Sequence, residues 1–271
     1  SSNVYFYTLA NEMGVDAIHD FMKPLGFGQI TGIDLPGEVR GVLPSTTWKR
    51  ETYKRPEQKK WYAGETISLG IGQGYNNFTI LQLTHALATL VDNGNSRAPH
   101  VGRALIDPVT AKRQPIEQPP ANNLGYKQSN VDAVKRGMVS VVTGGTGRGS
   151  FGNARYSAGG KTGTAQAITI GQKEKYNAAK LAERQRDHAL YIAFAPADDP
   201  KIAVGVIVEN AGFGAGSAAP IARRIIDYWL LGDYPSEADM AAMQRGQATA
   251  PIGTPRRAQD IAVQPVTEPA Q

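Results

Sequence analysis

The most informative segment of the chain is Gly159–Gln166, with the sequence GGKTGTAQ. Residues 160–162 match the end of the phosphate-binding motif G-x-x-x-x-G-K-S/T, but Arg155 stands where the first glycine of that motif belongs. A phosphate loop also leads into a helix, whereas residues 164–170 gain β-branched side chains and are typical of a strand. The segment therefore predicts a Lys-Thr-Gly tripeptide on a β-strand.

Two further β-prone runs follow, at residues 189–196 and 201–209, and the sequence ADDP between them has the composition of a hairpin turn. Residues 173–187, which precede them, are charged and predict a helical insertion. Residues 219–231 place apolar side chains at helical spacing and predict a helix that lies on the sheet. Its predicted apolar stripe consists of Ile221, Ile225, Ile226, Trp229 and Leu230. This pattern favours an α/β (α+β) fold with an antiparallel sheet flanked by helices.

The residues before that sheet predict four helices, at 4–13, 15–25, 80–91 and 131–143. Gly14 is placed to end the first, and Thr79 is placed to cap the third. The segment 26–66 between them is rich in glycine and proline and predicts an extended, loop-rich region. Its basic patch predicts either a solvated loop or a surface for anionic glycan or lipid, and it consists of Lys49, Arg50, Lys54, Arg55, Lys59 and Lys60.

The composition excludes several classes of protein. The 271 residues carry 29 Lys+Arg against 24 Asp+Glu, and the formal charge of +5 is too small and too dispersed to indicate a nucleic-acid surface. Cysteine is absent, which excludes disulfides and a cysteine nucleophile. His19, His85, His100 and His188 are scattered singly, so we predict no metal site and no cofactor. No apolar run approaches the roughly 20 residues of a membrane-spanning helix.

Several motifs, in order along the chain, resemble one family. They are Ser1-Ser2-Asn3, Gly144–Gly147 (GGTG), the Lys-Thr-Gly segment, and residues 186–196 (RDHALYIAFAP). A Ser or Asn before a helix is most often a cap, but a Ser-x-Asn followed later in the chain by a strand with Lys-Thr-Gly indicates two catalytic motifs of one family. The set resembles the transpeptidase domain of class B penicillin-binding proteins. Residues 70–75 (GIGQGY), 176–178 (YNA) and 184–188 (RQRDH) make it most similar to the penicillin-binding protein 2 group, which acts in cell elongation.

The resemblance implies the fold shared by serine beta-lactamases and penicillin-binding transpeptidases, incomplete at its N-terminus. Residues 1–232 would be the C-terminal part of the transpeptidase domain. Residues 233–271 would be a disordered Ala/Gln/Pro-rich tail, because they offer too little apolar surface to offset the entropy of ordering. In the family, the nucleophile motif S-x-x-K precedes Ser-x-Asn, and no serine of this chain is followed by lysine at the third position. We therefore expect the nucleophile to lie before Ser1 and the chain alone to be inactive.

The resemblance also implies an activity: a peptidoglycan D,D-transpeptidase that cross-links stem peptides through a serine acyl-enzyme during cell elongation. Ser1 would relay protons, Asn3 would hydrogen-bond the substrate backbone, and Lys161 would supply positive potential. The implied substrate-binding residues are Thr162, Gly163 and Thr164. The two threonine hydroxyls would hold the substrate carboxylate, the glycine would let a substrate backbone lie flat, and the N–H of Thr164 would form half of the oxyanion hole.

The expected ligands are stem peptides and beta-lactams, and no nucleic acid. The expected protein partners are membrane components of the elongation complex, including a SEDS-type glycosyltransferase. The implied location is the periplasmic side of the bacterial inner membrane, with a transmembrane anchor upstream of this chain. Two alternatives stay open. One is a beta-lactamase or D,D-carboxypeptidase relative, in which water resolves the acyl-enzyme, and the other is a non-catalytic penicillin-sensing or scaffold module.

Overall fold

The structure is a computed structural model that describes residues 2–167, 181–247 and 253–257. The helices in these ranges are α1 Asn3–Met13, α2 Val15–Met22, α3 Thr46–Thr52, α4 Pro56–Lys59, α5 Ala63–Leu69, α6 Ile80–Val91, α7 Gln128–Thr143, α8 Arg148–Phe151, α9 Ala218–Leu231 and α10 Glu237–Gln244. The strands are β1 Asn95–Ser96, β2 Ala104–Ile106, β3 Arg113–Pro115, β4 Asn122–Asn123, β5 Gly159–Ala165, β6 His188–Ala195, β7 Ile202–Val208, β8 Asp233–Tyr234 and β9 Arg256–Arg257.

The chain divides into two compact units, Ser1–Lys135 and Arg136–Gln271. In the first unit, α1 ends at Gly14, which has a φ of 77° that glycine adopts without steric cost. α6 begins with a reciprocal capping box, in which the Thr79 hydroxyl accepts from the N–H of Gln82 and the Gln82 side chain accepts from the N–H of Thr79. Both helix boundaries confirm the sequence prediction.

Three short helices, α3 to α5, occupy part of the region that the sequence predicted to be extended. Lys49 of the basic patch lies among them and is only 2% exposed. Its ammonium donates to both carboxylate oxygens of Glu65 and lies 5.3 to 5.5 Å from the ring centroids of Trp61, Tyr62 and Tyr75. The prediction of a solvated patch is therefore wrong for Lys49, because a carboxylate and three aromatic rings replace its water.

Among the described residues of the second unit, β5, β6 and β7 form an antiparallel sheet in the order β5-β6-β7. β6 and β7 are joined by a short turn, as the sequence predicted. Lys161 of β5 lies opposite Ile192 of β6, which in turn lies opposite Gly205 of β7. The mixed fold with helices around an antiparallel sheet is confirmed. Residues 173–180 of the helical insertion predicted at residues 173–187 lie outside the described residues, and the described remainder contains a short 3-10 helix at Glu183–Gln185.

α9 packs on β6 and β7 through small side chains. The predicted apolar stripe is only partly correct, because Ile225 is 42% exposed and Trp229 is 63% exposed. Alanines bring the helix close to the sheet, and Ile226 is buried with them while Ile225 and Trp229 face outward. The fully buried residues of α9 are Ala218, Ala219, Ala222 and Ile226.

The buried face of α9 also carries charge. The Nε of Arg223 donates to Oδ1 of Asp227 at 2.7 Å, and the hydroxyl of Tyr156 donates to the same oxygen at 2.8 Å. A second guanidinium nitrogen of Arg223 donates to the carbonyl of Ser150 at 2.8 Å. Because these charges are paired and hydrogen-bonded, the helix can turn a polar stripe inward, which apolar periodicity alone does not reveal.

The described part of the C-terminal tail is ordered. β8 pairs with β9, and α10 follows Ser236, whose side chain accepts from the N–H of Asp239. The carboxylate of Asp239 accepts from the guanidinium of Arg224 in α9 at 2.8 Å, and both side chains are buried. The prediction of a disordered tail is therefore wrong for these residues, because a helix cap and a buried ion pair supply what apolar area does not. The other tail residues lie outside the described ranges.

Asp239→Asn should destabilise the second unit, because it removes the negative charge that faces Arg224. We expect a loss of about 2 kcal/mol in the free energy of unfolding. Faster hydrogen exchange at the amides of α10 should accompany it. Burial alone would raise the pKa of Asp239, but hydrogen bonds from Arg224, Gly253 and Ser236 outweigh burial and hold that pKa below its ordinary value of 3.8. The stabilisation is thus present above about pH 4 and is lost as pH falls through the folded-state pKa.

The matched control is Glu237→Gln in the first turn of the same helix, since the Glu237 side chain is 88% exposed. This change should alter the free energy of unfolding by less than about 0.5 kcal/mol. Equal exchange rates in the Asp239→Asn and control proteins at neutral pH would contradict the assignment.

Candidate active site

Strand β5 carries the Lys-Thr-Gly tripeptide at an edge of the described sheet. Lys161 lies opposite Ile192 and Thr162 lies opposite Tyr191, all in regular antiparallel register. The strand is paired on one side within the described residues, so its other edge offers backbone groups to an extended peptide. The position of the tripeptide inside a strand also excludes the phosphate-loop alternative.

Lys161 is half-buried, and burial lowers the pKa of its ammonium below the ordinary value of 10.5. Its Nζ donates to the carbonyl of Thr162 at 2.8 Å. A desolvated lysine gives up its proton more readily than an exposed one. This environment suits a group that both attracts an anionic substrate and supports proton transfer.

The turn Gly144–Gly147 lies beside the same strand. Oγ1 of Thr146 is 3.0 Å from Oγ1 of Thr162, which is a hydrogen bond between two hydroxyls. The sequence singled out this turn only as a mark of the family and assigned Thr146 no role. Its partner lies sixteen residues away, so no local pattern could have revealed the contact.

The loop after β7 also contacts β5 directly. A Cβ on Gly214 would lie 2.1 Å from the carbonyl oxygen of Leu190 and 2.5 Å from that of Gly163. Only a residue without a side chain fits there, so the loop backbone packs against the β5–β6 pair. The third residue of the tripeptide is thus supported from the side by another glycine.

Ser2 and Asn3 of the Ser-x-Asn tripeptide lie at the start of α1, in the other compact unit. Ser2 is the N-cap residue and makes no side-chain capping bond, and Asn3 is the first helical residue and is exposed. Capping therefore does not explain this tripeptide, while Ser1 lies outside the described residues. Lys161 to Thr164 lie together on β5 in the second compact unit, whereas Asn3 belongs to the first.

Helix α1 is held by α5 through a close backbone contact. A Cβ on Gly70 would lie 2.4 Å from the carbonyl oxygen of Phe6 and 2.7 Å from Cβ of Ala10. Gly70 opens the family-like segment GIGQGY, so this segment supports the helix that carries Asn3. No structural role for this glycine was evident from the sequence.

Within the described ranges, no three His, Asp or Glu side chains are grouped so that they could hold a metal ion. The histidines bond to nearby backbone instead. Nε2 of His85 lies 2.9 Å from the carbonyl of Arg97, and Nδ1 of His188 accepts from the N–H of Asn210 at 3.0 Å.

The chain matches known proteins along most of its length. A sequence profile described as "Penicillin binding protein transpeptidase domain" matches residues 1–227. Peptidoglycan D,D-transpeptidase MrdA of Haemophilus influenzae is 44% identical over 238 residues, which cover 85% of this chain and 35% of that protein. The chain thus spans about a third of that curated relative.

Solved structures agree with the sequence matches. The crystal structure of Pseudomonas aeruginosa PBP2 in complex with WCK 5153 gives a TM-score of 0.69 at 38% identity, covering 84% of this chain and 47% of that one. Helicobacter pylori PBP2, solved in a complex with MreC, gives a TM-score of 0.67 at 25% identity, covering 85% of this chain and 39% of that one. These relatives do not favour the beta-lactamase, carboxypeptidase or scaffold alternatives.

Gly214→Ala should destabilise the second unit, because the new Cβ would overlap the carbonyl oxygens of Leu190 and Gly163. We expect a loss of about 1–3 kcal/mol in the free energy of unfolding, measured by chemical denaturation. Gly216→Ala in the same loop is the control, since its Cβ would meet nothing closer than 3.8 Å. Equal losses in the two variants would show that overlap with these two carbonyl oxygens is not what destabilises the Gly214→Ala protein.

Gly70→Ala should disturb α1 by the same reasoning, at a cost of about 1–3 kcal/mol in the free energy of unfolding. Gly64→Ala in α5 is the matched control, because no atom lies within 4 Å of the new Cβ. An alanine there should be neutral or stabilising by up to about 1 kcal/mol. A neutral Gly70→Ala protein would contradict the close packing of α1 on α5.

Proposed function

The chain belongs to the penicillin-binding protein transpeptidase family, and from that membership we propose that the protein carrying it is a peptidoglycan D,D-transpeptidase of the cell-elongation type. The observation that carries the proposal is the Lys-Thr-Gly tripeptide on the edge strand β5, with a half-buried Lys161 whose pKa is lowered by burial. An open strand edge beside a desolvated cation fits an extended peptide that ends in a carboxylate.

The nucleophile is proposed to come from an S-x-x-K sequence that precedes Ser1 in the longer protein, since this sequence has no serine so placed. That hydroxyl attacks the carbonyl carbon between two D-alanines of a stem peptide. The C–N bond breaks, the terminal D-alanine leaves with a proton on its nitrogen, and an acyl-enzyme remains. An amine of a neighbouring stem peptide then takes the acyl group and frees the serine.

The site residues that this chain carries each have a proposed part in these steps. Ser1 passes the proton to the leaving amine, and Asn3 hydrogen-bonds the backbone of the substrate. Lys161 raises the positive potential near that proton path. On β5, the hydroxyls of Thr162 and Thr164 bind the terminal carboxylate. The N–H of Thr164 donates to the developing oxyanion, a contact whose loss costs about 3 kcal/mol of barrier in other acyl-transfer enzymes.

The proposed ligands are stem peptides and beta-lactams. The proposed protein partners are membrane components of an elongation complex, including a SEDS-type glycosyltransferase, and the H. pylori relative solved with MreC supports partners of this kind. The proposed location is the periplasmic side of the inner membrane, with the anchor in a preceding segment. None of the described helices has the length and apolar character to span a bilayer.

A fluorescent penicillin tests the proposal on the full-length protein. We expect covalent labelling of the full-length protein and none of this chain alone, because the chain carries no S-x-x-K serine. Lys161→Met should slow labelling roughly 100-fold, which is the scale of losing one positioned hydrogen-bond donor at other acyl-transfer sites. The control Lys201→Met removes a lysine that is 58% exposed and should label normally. Labelling of the chain alone, or of the Lys161→Met protein at the parent rate, would overturn the assignment.

The pH profile of the labelling rate supplies a second measurement. Because burial lowers the pKa of Lys161, its positive charge should disappear, and the rate should fall, at a pH below the 10.5 of an exposed lysine. Lys161→Arg keeps the charge at every accessible pH, so any activity that it retains should lack this alkaline decline. An identical alkaline limb in both proteins would assign the titration to another group.

A further inference from the structure

A hydroxyl outside the proposed catalytic and substrate-binding set reaches strand β5. Thr146 lies between α7 and α8, and its Oγ1 is 3.0 Å from that of Thr162. Thr146 is exposed and Thr162 is half-buried, so a ligand along the strand has access to the pair. The contact therefore lies where the substrate carboxylate is proposed to bind.

The turn that presents Thr146 is fixed by its own backbone. The N–H of Gly147 donates to the carbonyl of Val141 at 2.9 Å, and the N–H of Arg148 donates to that of Gly145 at 3.2 Å. A Cβ on Gly145 would lie 2.9 Å from Cα of Val141. The turn thus lies directly on the last turns of α7, and a side chain at residue 145 would push it away.

Tyr191 holds the turn and the strand at a set separation. Its ring is fully buried and stacks on Phe151 with centroids 5.6 Å apart. A Cβ on Gly147 of the turn would lie 2.7 Å from the Tyr191 hydroxyl oxygen, and one on Gly160 of β5 would lie 2.3 Å from it. One rigid side chain therefore separates two glycines, and the spacing between Thr146 and Thr162 is set by the fold.

We propose that Thr146 is a positioning residue of the carboxylate pocket. Its hydroxyl donates to Oγ1 of Thr162, which leaves the single proton of Thr162 for the carboxylate of the substrate. A hydroxyl has one proton and two lone pairs, so accepting from one partner does not prevent it from donating to another. Two hydrogen bonds in such a chain also strengthen each other. The inference rests on the proposed transpeptidase function and adds Thr146 to the residues that determine its preference for substrates with a terminal carboxylate.

The test measures acylation of the full-length protein by a penicillin with a free carboxylate and by its methyl ester. Thr146→Val keeps the shape of the side chain and removes the hydroxyl. It should weaken the apparent binding constant for the free acid roughly fivefold, with little change in the limiting acylation rate. The same variant should change the reaction of the ester by less than twofold, because the ester lacks the carboxylate that Thr162 is proposed to bind.

Two further variants separate positioning from structure. Thr146→Ser restores the hydroxyl and should react as the parent protein does. Thr143→Val removes a nearby exposed hydroxyl that donates to the carbonyl of Val139, and it should leave both reactions unchanged. All variants should unfold at the parent temperature.

The outcomes distinguish this inference from the proposed function. A parent protein that reacts with neither penicillin overturns both. If the parent protein reacts normally, two results overturn only the role of Thr146. In the first, the Thr146→Val variant reacts as the parent does; in the second, it loses reactivity with the acid and the ester equally. A fivefold loss that is confined to the free acid and is restored in the serine variant supports it.

Discussion

An edge strand that receives a substrate must keep one edge open, so its rigidity has to come from the elements packed around it. Around β5 those elements approach so closely that a side chain is excluded at each contact point: Gly147 and Gly160 meet the hydroxyl of Tyr191, and Gly214 meets the carbonyls of Gly163 and Leu190. The rest of the site depends on these contacts, because they set how closely the turn that carries Thr146 and the loop that carries Gly214 lie against the strand.

Buried positive charge is the second organising feature, and the buried cations lie in two kinds of environment. Lys49 and Arg223 each lie against a carboxylate and aromatic rings, and Arg224 lies against Asp239, so each of these buried cations has a partner, and removing that partner would leave an unpaired buried charge. Lys161 lies in a strand that a substrate would contact, and burial lowers its pKa. A lowered pKa shows that the environment disfavours the cation, and an anionic ligand would restore that balance.

The sequence predicted the features that are local. The Lys-Thr-Gly strand, the hairpin after β6, the end of α1 at Gly14 and the Thr79 cap each depend on neighbouring residues, and each is confirmed. The sequence prediction was wrong where residues distant along the chain determine the surroundings of a side chain. Lys49 reads as a solvated charge until Glu65 and the aromatic rings are placed around it, and α10 has a composition typical of disorder until Arg224 meets Asp239. The role of Thr146 needed a partner that only the folded turn supplies.

The outward orientation of Trp229 on α9 has a practical consequence. The chain has three tryptophans, and the other two, Trp48 and Trp61, are half-buried residues of the first compact unit. The exposed indole of Trp229 emits at longer wavelength than a sheltered one, so its fluorescence is a built-in marker of the second unit. In a Trp229→Phe protein the emission comes from the first unit alone, and comparison with the parent protein shows whether the two units unfold together or in turn.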